Sequence, residues 1–135
     1  MPRYMLDTNT VSHIIKGQPA AVRENLQRIP MDQVCISAIT EAELLLGLAQ
    51  KPAATRLAEV VAQFLLHVEI LPWDSIAAKS YAHFASATFA QGKPLSALDI
   101  LIASHAIAAA ATLVTSDRSF YRLKLRPPLI DWTMR

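Results

Sequence analysis

Glycine is scarce in this 135-residue chain. There are only three, and none belongs to a G-x-x-x-x-G-K or G-x-G-x-x-G run, so the backbone phosphate cradles of P-loop and dinucleotide-binding proteins are excluded. Cysteine is scarcer still. Cys35 stands alone, which rules out an intrachain disulfide, and its neighbours Val34 and Ile36 mark it as a buried small hydrophobe with no base at hand to activate its thiol. A reducing, cytoplasmic setting is the expectation. The four histidines, His13, His67, His83 and His105, show neither HxH nor HExxH spacing, and His105 sits in an apolar helical stretch where a core role fits. No repeat, run of like charges or Gly/Ser linker interrupts the chain. The apolar stretch before Asp7 is shorter than the roughly 7–15 residues of a signal-peptide core. The longest apolar stretch, Ala97 to Val114, is broken by Asp99, Ser104 and His105, and a central Asp costs about 2.5–3.5 kcal/mol on membrane-insertion scales. It reads as a buried helix followed by a strand, not as a membrane span.

What the chain does have is apolar bulk: 53% of residues are hydrophobic and 18% charged. A chain of this length buries roughly two-thirds of the surface it exposes when unfolded, so one domain over residues 1–135, built on one core, is expected. The net charge of +2, from 13 basic and 11 acidic residues, is too small to announce a nucleic-acid binder. Its placement says more. Arg118, Arg122, Lys124, Arg126 and Arg135 face only Asp117 and Asp131 beyond Thr115, which suits either a solvated surface or a basic rim beside an acidic pocket.

Strands and helices alternate in the pattern. Arg3 to Leu6 predicts a buried strand and Thr8 to Lys16 a helix closed by Gly17. Ala20 to Arg28 predicts a second helix, broken before Pro30. Val34 to Ile36 predicts a strand ending at Ser37, a good cap for a helix over Ala38 to Gln50. A longer helix over Ala53 to His67, a strand at Val68 to Leu71 ended by Pro72, and a helix over Ser75 to Ala90 follow. After the loop Gln91-Gly92-Lys93-Pro94, Ser96 caps an apolar helix over Ala97 to Ala111. A β-branched strand over Thr112 to Thr115, a helical turn over Arg118 to Leu123 and a last strand near Leu129-Ile130 complete the reading. Such alternation indicates an α/β fold with a parallel sheet and helices on both faces.

Four carboxylates stand where apolar segments meet turns or helix starts: Asp7, Glu43, Asp99 and Asp117. Each has a structural reading as a cap. Asp7 precedes a helix, Thr40-x-x-Glu43 and Ser96-x-x-Asp99 match capping boxes, and Asp117 precedes a helical turn. Jointly they suggest more, because strand ends in a parallel sheet lie side by side. Several acids gathered there without counter-charges need protons or a divalent cation. All-oxygen ligands suit Mg²⁺ or Mn²⁺, and such sites serve phosphoryl chemistry. Periodicity alone leaves Glu41 and Glu43 open, since their helix is apolar nearly all round.

The fragments Met5-Leu6-Asp7-Thr8-Asn9, Ile36-Ser37-x-Ile39-Thr40-x-x-Glu43-Leu44-x-x-Gly47, Asp99-x-x-Ile102-Ala103 and Val114-Thr115-Ser116-Asp117-x-x-Phe120 occur in order over nearly the whole chain. The sequence thereby resembles PIN domains, and among them the VapC-type toxins of bacterial toxin–antitoxin pairs. The resemblance implies a three-layer α/β/α sandwich with a central, mainly parallel sheet and an endoribonuclease dependent on Mg²⁺ or Mn²⁺ that cuts a structured RNA such as tRNA. It also implies a cognate VapB-type antitoxin, and a homodimer within a larger toxin–antitoxin complex in the bacterial cytoplasm. Residue by residue, it implies catalytic roles for Asp7, Glu43, Asp99 and Asp117, with Asp7, Asp99 and Glu43 as metal ligands, and so prefers Glu43 to Glu41. Many relatives place a further acid just before the last Phe; here that residue is Ser119, and the set stops at four.

Around the acids, Thr115, Ser116 and Asn9 are candidates for supporting hydrogen bonds, and Arg118, Arg122 and Lys93 for contacts to RNA phosphates. Two rivals are distinguishable. A phosphatase or phosphoacceptor with Asp7 as nucleophile would want a second acid two residues on, where Asn9 stands, or a Lys beyond a later strand, and no Lys lies near Val114. A catalytically silent PIN-like binding module would act only through its partner and would leave RNA intact.

Overall fold

The computed structural model describes residues 2–92 and 95–134. Its elements, in chain order, are β1 (Tyr4–Leu6), α1 (Thr8–Lys16), α2 (Ala20–Gln27), β2 (Val34–Ser37), α3 (Ala38–Ala49), α4 (Thr55–His67), β3 (Glu69–Leu71), α5 (Ser75–Gln91), α6 (Ala97–Ala108), β4 (Thr112–Val114), α7 (Arg118–Tyr121) and β5 (Leu129–Ile130), with a 3₁₀ turn at Met31–Gln33 leading into β2. The strands form one five-stranded sheet in the order β3-β2-β1-β4-β5, and every pairing is parallel. The expected α/β sandwich is therefore present.

Strand alternation sorts the core into two layers. Successive residues of a strand point to opposite faces, and here Met5, Cys35 and Leu113 pack with Phe84, Ile100, Ile102 and Ala103 of α5 and α6. Their neighbours Leu6, Val34, Ile36 and Val114 pack on the other face with Val11, Ile14, Val22, Leu44 and Val61 of α1 to α4. Both faces of the sheet are thus covered, which is why these short central strands read as unbroken apolar runs. Cys35 is fully buried, and burial pushes its thiol up to about 12. No helix among the described residues is long and apolar enough to cross a membrane.

Strand order places the functional edge. The chain runs outward from β1 to β2 and β3, then returns to lay β4 and β5 on the other side of β1. The connections leaving β1 and β4 therefore diverge, and a crevice opens beyond their carboxyl ends. Met5 pairs with Leu113 and Leu6 with Val114, so the segments starting at Asp7 and at Thr115 emerge side by side. The Asp7 amide continues the ladder, donating to the Val114 carbonyl at 3.1 Å.

Candidate active site

Asp7 is held rigidly at the end of β1. It is the N-cap of α1, accepting from the Thr10 amide at 2.8 Å, while the Thr10 hydroxyl donates to the Val114 carbonyl at 2.9 Å and ties the same turn to β4. Asp7 is only 4% exposed. Burial raises its carboxyl above the usual carboxylate range, hydrogen bonding from Thr10 and Thr115 pulls it back, and the charge of Asp117 adds to the rise. Capping and site placement are thus not alternatives for this residue.

Asp99 enters the crevice from the first turn of α6. Ser96 caps that helix, accepting from the Asp99 amide at 3.1 Å. Burial raises the Asp99 carboxyl, hydrogen bonding with Ser96 opposes the rise, and the charges of Asp117, Asp7 and Glu43 each push it further up. Every charged group in that account is another of the four acids. The Asp99 carboxyl therefore senses the three other acids foreseen from sequence across the crevice.

Glu43 reaches the site from α3. The capping-box reading of Thr40-x-x-Glu43 is not realised, because Ser37 caps α3 by accepting from the Ile39 amide at 3.0 Å, which leaves Thr40 inside the helix. Glu43 instead accepts from the Thr8 hydroxyl at 2.6 Å. Glu41 makes no such contact with the first-strand turn among the hydrogen bonds of the described residues, so the structure ties Glu43 and not Glu41 to Thr8, the residue after Asp7.

Asp117 caps α7, accepting from the Ser119 amide at 2.9 Å. Its own amide donates to the Thr115 hydroxyl oxygen at 3.1 Å, and Thr115 also draws the Asp7 carboxyl downward. Ser116 is half-buried beside it, and Asn9 is exposed on α1. Arg118 pairs with Asp131 and stands 4.6 Å over the ring of Tyr121, whose hydroxyl donates to the Thr115 carbonyl at 3.0 Å. Arg122 is exposed. Lys93 lies outside the described residues. Sequence reasoning missed Thr8, Asp131 and Tyr121: Thr8 is signalled only by its place next to Asp7, and the other two by nothing local.

Whether this donor set fits a divalent ion can be judged from its chemistry. All four acids offer oxygen, two of them are raised by burial and by the other carboxylates, and hard cations suit such donors. Among the described residues, no group of three or more His, Cys, Asp or Glu side chains is arranged to hold an ion as it stands. The set fits a hard ion in composition and charge.

Fold and site together define a parallel α/β protein with an acidic crevice at its topological switch point. The family model described as PIN domain matches residues 4–125, and the chain belongs to that family. It is 34% identical over 124 residues to the tRNA(fMet)-specific endonuclease VapC of Salmonella typhimurium, covering 91% of this chain and 93% of the relative. The DNA-bound VapBC crystal structure from Salmonella typhimurium superposes with a TM-score of 0.88 at 33% identity, covering 98% of this chain and 99% of that one. VapBC2 from Rickettsia felis, bound to a DNA fragment from its promoter, gives a TM-score of 0.85 at 31% identity, covering 96% and 98%.

Proposed function

We propose that this chain is a divalent-metal-dependent endoribonuclease, the toxin of a type II toxin–antitoxin pair, acting on phosphodiesters of a structured RNA such as tRNA. The observation that carries the reading is the Asp99 carboxyl at the switch point, raised by burial and by the charges of Asp117, Asp7 and Glu43, in a chain that aligns almost end to end with a tRNA endonuclease. Asp7, Asp99 and Glu43 would hold Mg²⁺ or Mn²⁺, and Asp117 would complete the acidic shell. The bound ion supplies Lewis acidity, acidifying water and neutralising charge that develops on the phosphate.

The chain's own residues supply orientation. Thr10 fixes the Asp7 carboxylate, Ser96 fixes the first turn of α6 under Asp99, and Thr115 holds the Asp117 turn. Ser116 and Asn9 flank these turns as further supports. Arg122 and Lys93 position RNA phosphates, and Arg118, fastened by Asp131, gives the rim a fixed positive charge; such contacts orient a nucleic acid without reading its bases. The partner is a VapB-type antitoxin, as in the VapBC neighbours, bound to a homodimer in the cytoplasm.

The test incubates the partner-free protein with total bacterial RNA and Mn²⁺ or Mg²⁺ and maps the ends produced. Discrete cuts bearing 5′ phosphates are expected from the parent, with at least about a 100-fold loss for Asp7→Asn and for Asp99→Asn, since losing even an outer support of a metal ligand costs about 10- to 100-fold. Equal cutting by all three proteins, or none by the parent, contradicts the reading.

A further inference from the structure

We propose that Thr8 is the positioning residue for Glu43, its hydroxyl clamping one carboxylate oxygen so that the other is presented to the divalent ion; this rests on the metal-site reading above. Thr8 is the first residue of α1 and is joined directly to Asp7. Its hydroxyl lies 2.6 Å from Glu43 Oε1 and 3.3 Å from Thr40 Oγ1. A hydroxyl has one proton, and the carboxylate at 2.6 Å is the stronger acceptor, within the range of charge-assisted O–H···O⁻ bonds.

The geometry gives this bond a use. Thr40 and Glu43 are three residues apart on α3 and share the helix face turned toward the start of α1. Thr40 is fully buried, so the Thr8 hydroxyl is seated against an immobile neighbour. A glutamate has one more rotatable bond than an aspartate, and among the proposed ligands Glu43 alone projects from mid-helix; Asp7 and Asp99 sit at capped helix starts. Sites of this kind need each ligand's rotamer locked by a supporting partner. A β-branched residue is stiff about its first torsion, and its position next to Asp7 puts the clamp at a set distance from the first-strand acid.

Apolar packing also joins α1 and α3. Val11 and Ile14 of α1 and Leu44 of α3 belong to the same buried apolar cluster, so Thr8→Val keeps the side chain's volume and removes the hydroxyl that donates to Glu43 and neighbours Thr40. The experiment titrates Mn²⁺ into the full-length parent, Thr8→Val, Thr8→Ser, Asp7→Asn, Glu43→Gln and the Thr8→Val/Glu43→Gln double variant, with melting temperatures recorded beside each; Thr8→Ala replaces valine if that variant fails to fold. Thr8→Val is expected to weaken Mn²⁺ binding about 10- to 100-fold, as loss of outer supports to metal ligands does, with Thr8→Ser restoring it and the double variant no weaker than Glu43→Gln alone. The proposal is overturned if Thr8→Val binds as the parent does, or if its loss adds in full to that of Glu43→Gln. Should Asp7→Asn and Glu43→Gln leave Mn²⁺ binding untouched, the metal-site reading falls and takes this proposal with it; if they weaken it while Thr8→Val does not, only the role of Thr8 is lost.

Discussion

His105 shows how one buried side chain sets a pH limit on the fold. Its Nδ1 lies 2.8 Å from the Ser37 hydroxyl, the cap of α3, and burial lowers its value below the ordinary 6.5, with the charge of Asp74 acting against that. The unfolded chain therefore binds more protons than the folded one between the lowered value and about 6.5, and stability is lost as pH falls through that window. Urea midpoints at pH 7.5 and 5.5 should show a smaller loss on acidification for His105→Gln than for the parent; equal losses would show that His105 is not responsible. The core role read for His105 from its apolar helix fits this placement. Residues whose chemistry shows in their own side chain and local pattern, such as the four acids, were legible in this way. Those defined by a distant partner were not: Asp131 is 13 residues from Arg118, and the clamp of Thr8 on Glu43 spans 35.

Among the elements, helix ends were set by local chemistry and so were readable before the fold was known. Gly17 adopts φ +74°, the left-handed position that closes α1, and a Cβ there would meet only the Arg23 guanidinium at 3.5 Å, an ordinary contact. Gly17→Ala should therefore cost about 1–2 kcal/mol from backbone conformation alone, measurable as a lower urea midpoint with an unchanged slope; no change would mean that the turn relaxes. Ser37 and Ser96 cap as their residue types suggest, and the structure adds Asp74 as the cap of α5. The 3₁₀ turn at Met31–Gln33 was not foreseen, since Pro30 signals only a break, and the apolar helix before β4 ends at Ala108, short of Ala111. Nothing local stops that helix, because alanine favours helix throughout; the stop comes where the chain must turn, with Ala110 at φ +53°, and enter β4.

At the scale of the whole molecule, function follows from strand order. The reversal at β1 and β4 brings residues separated by more than 100 positions to one edge, and no window of sequence reveals that juxtaposition; a parallel α/β fold only makes it permissible. Expression of the chain alone should slow bacterial growth while Asp99→Asn does not, and co-expression with its antitoxin should restore growth; growth rates unaffected by the parent would favour a silent binding module. The central claim is that Asp7, Asp99 and Glu43 share one divalent ion. Anomalous diffraction from crystals of the protein soaked in Mn²⁺ tests it most directly. The account predicts a manganese peak about 2.0–2.3 Å from oxygens of Asp7 and Asp99, in the range of oxygen–metal bonds for small hard cations, with Glu43 turned toward it and no peak in Asp7→Asn. Full Mn²⁺ occupancy elsewhere on the molecule, with the crevice free of anomalous signal, would contradict it.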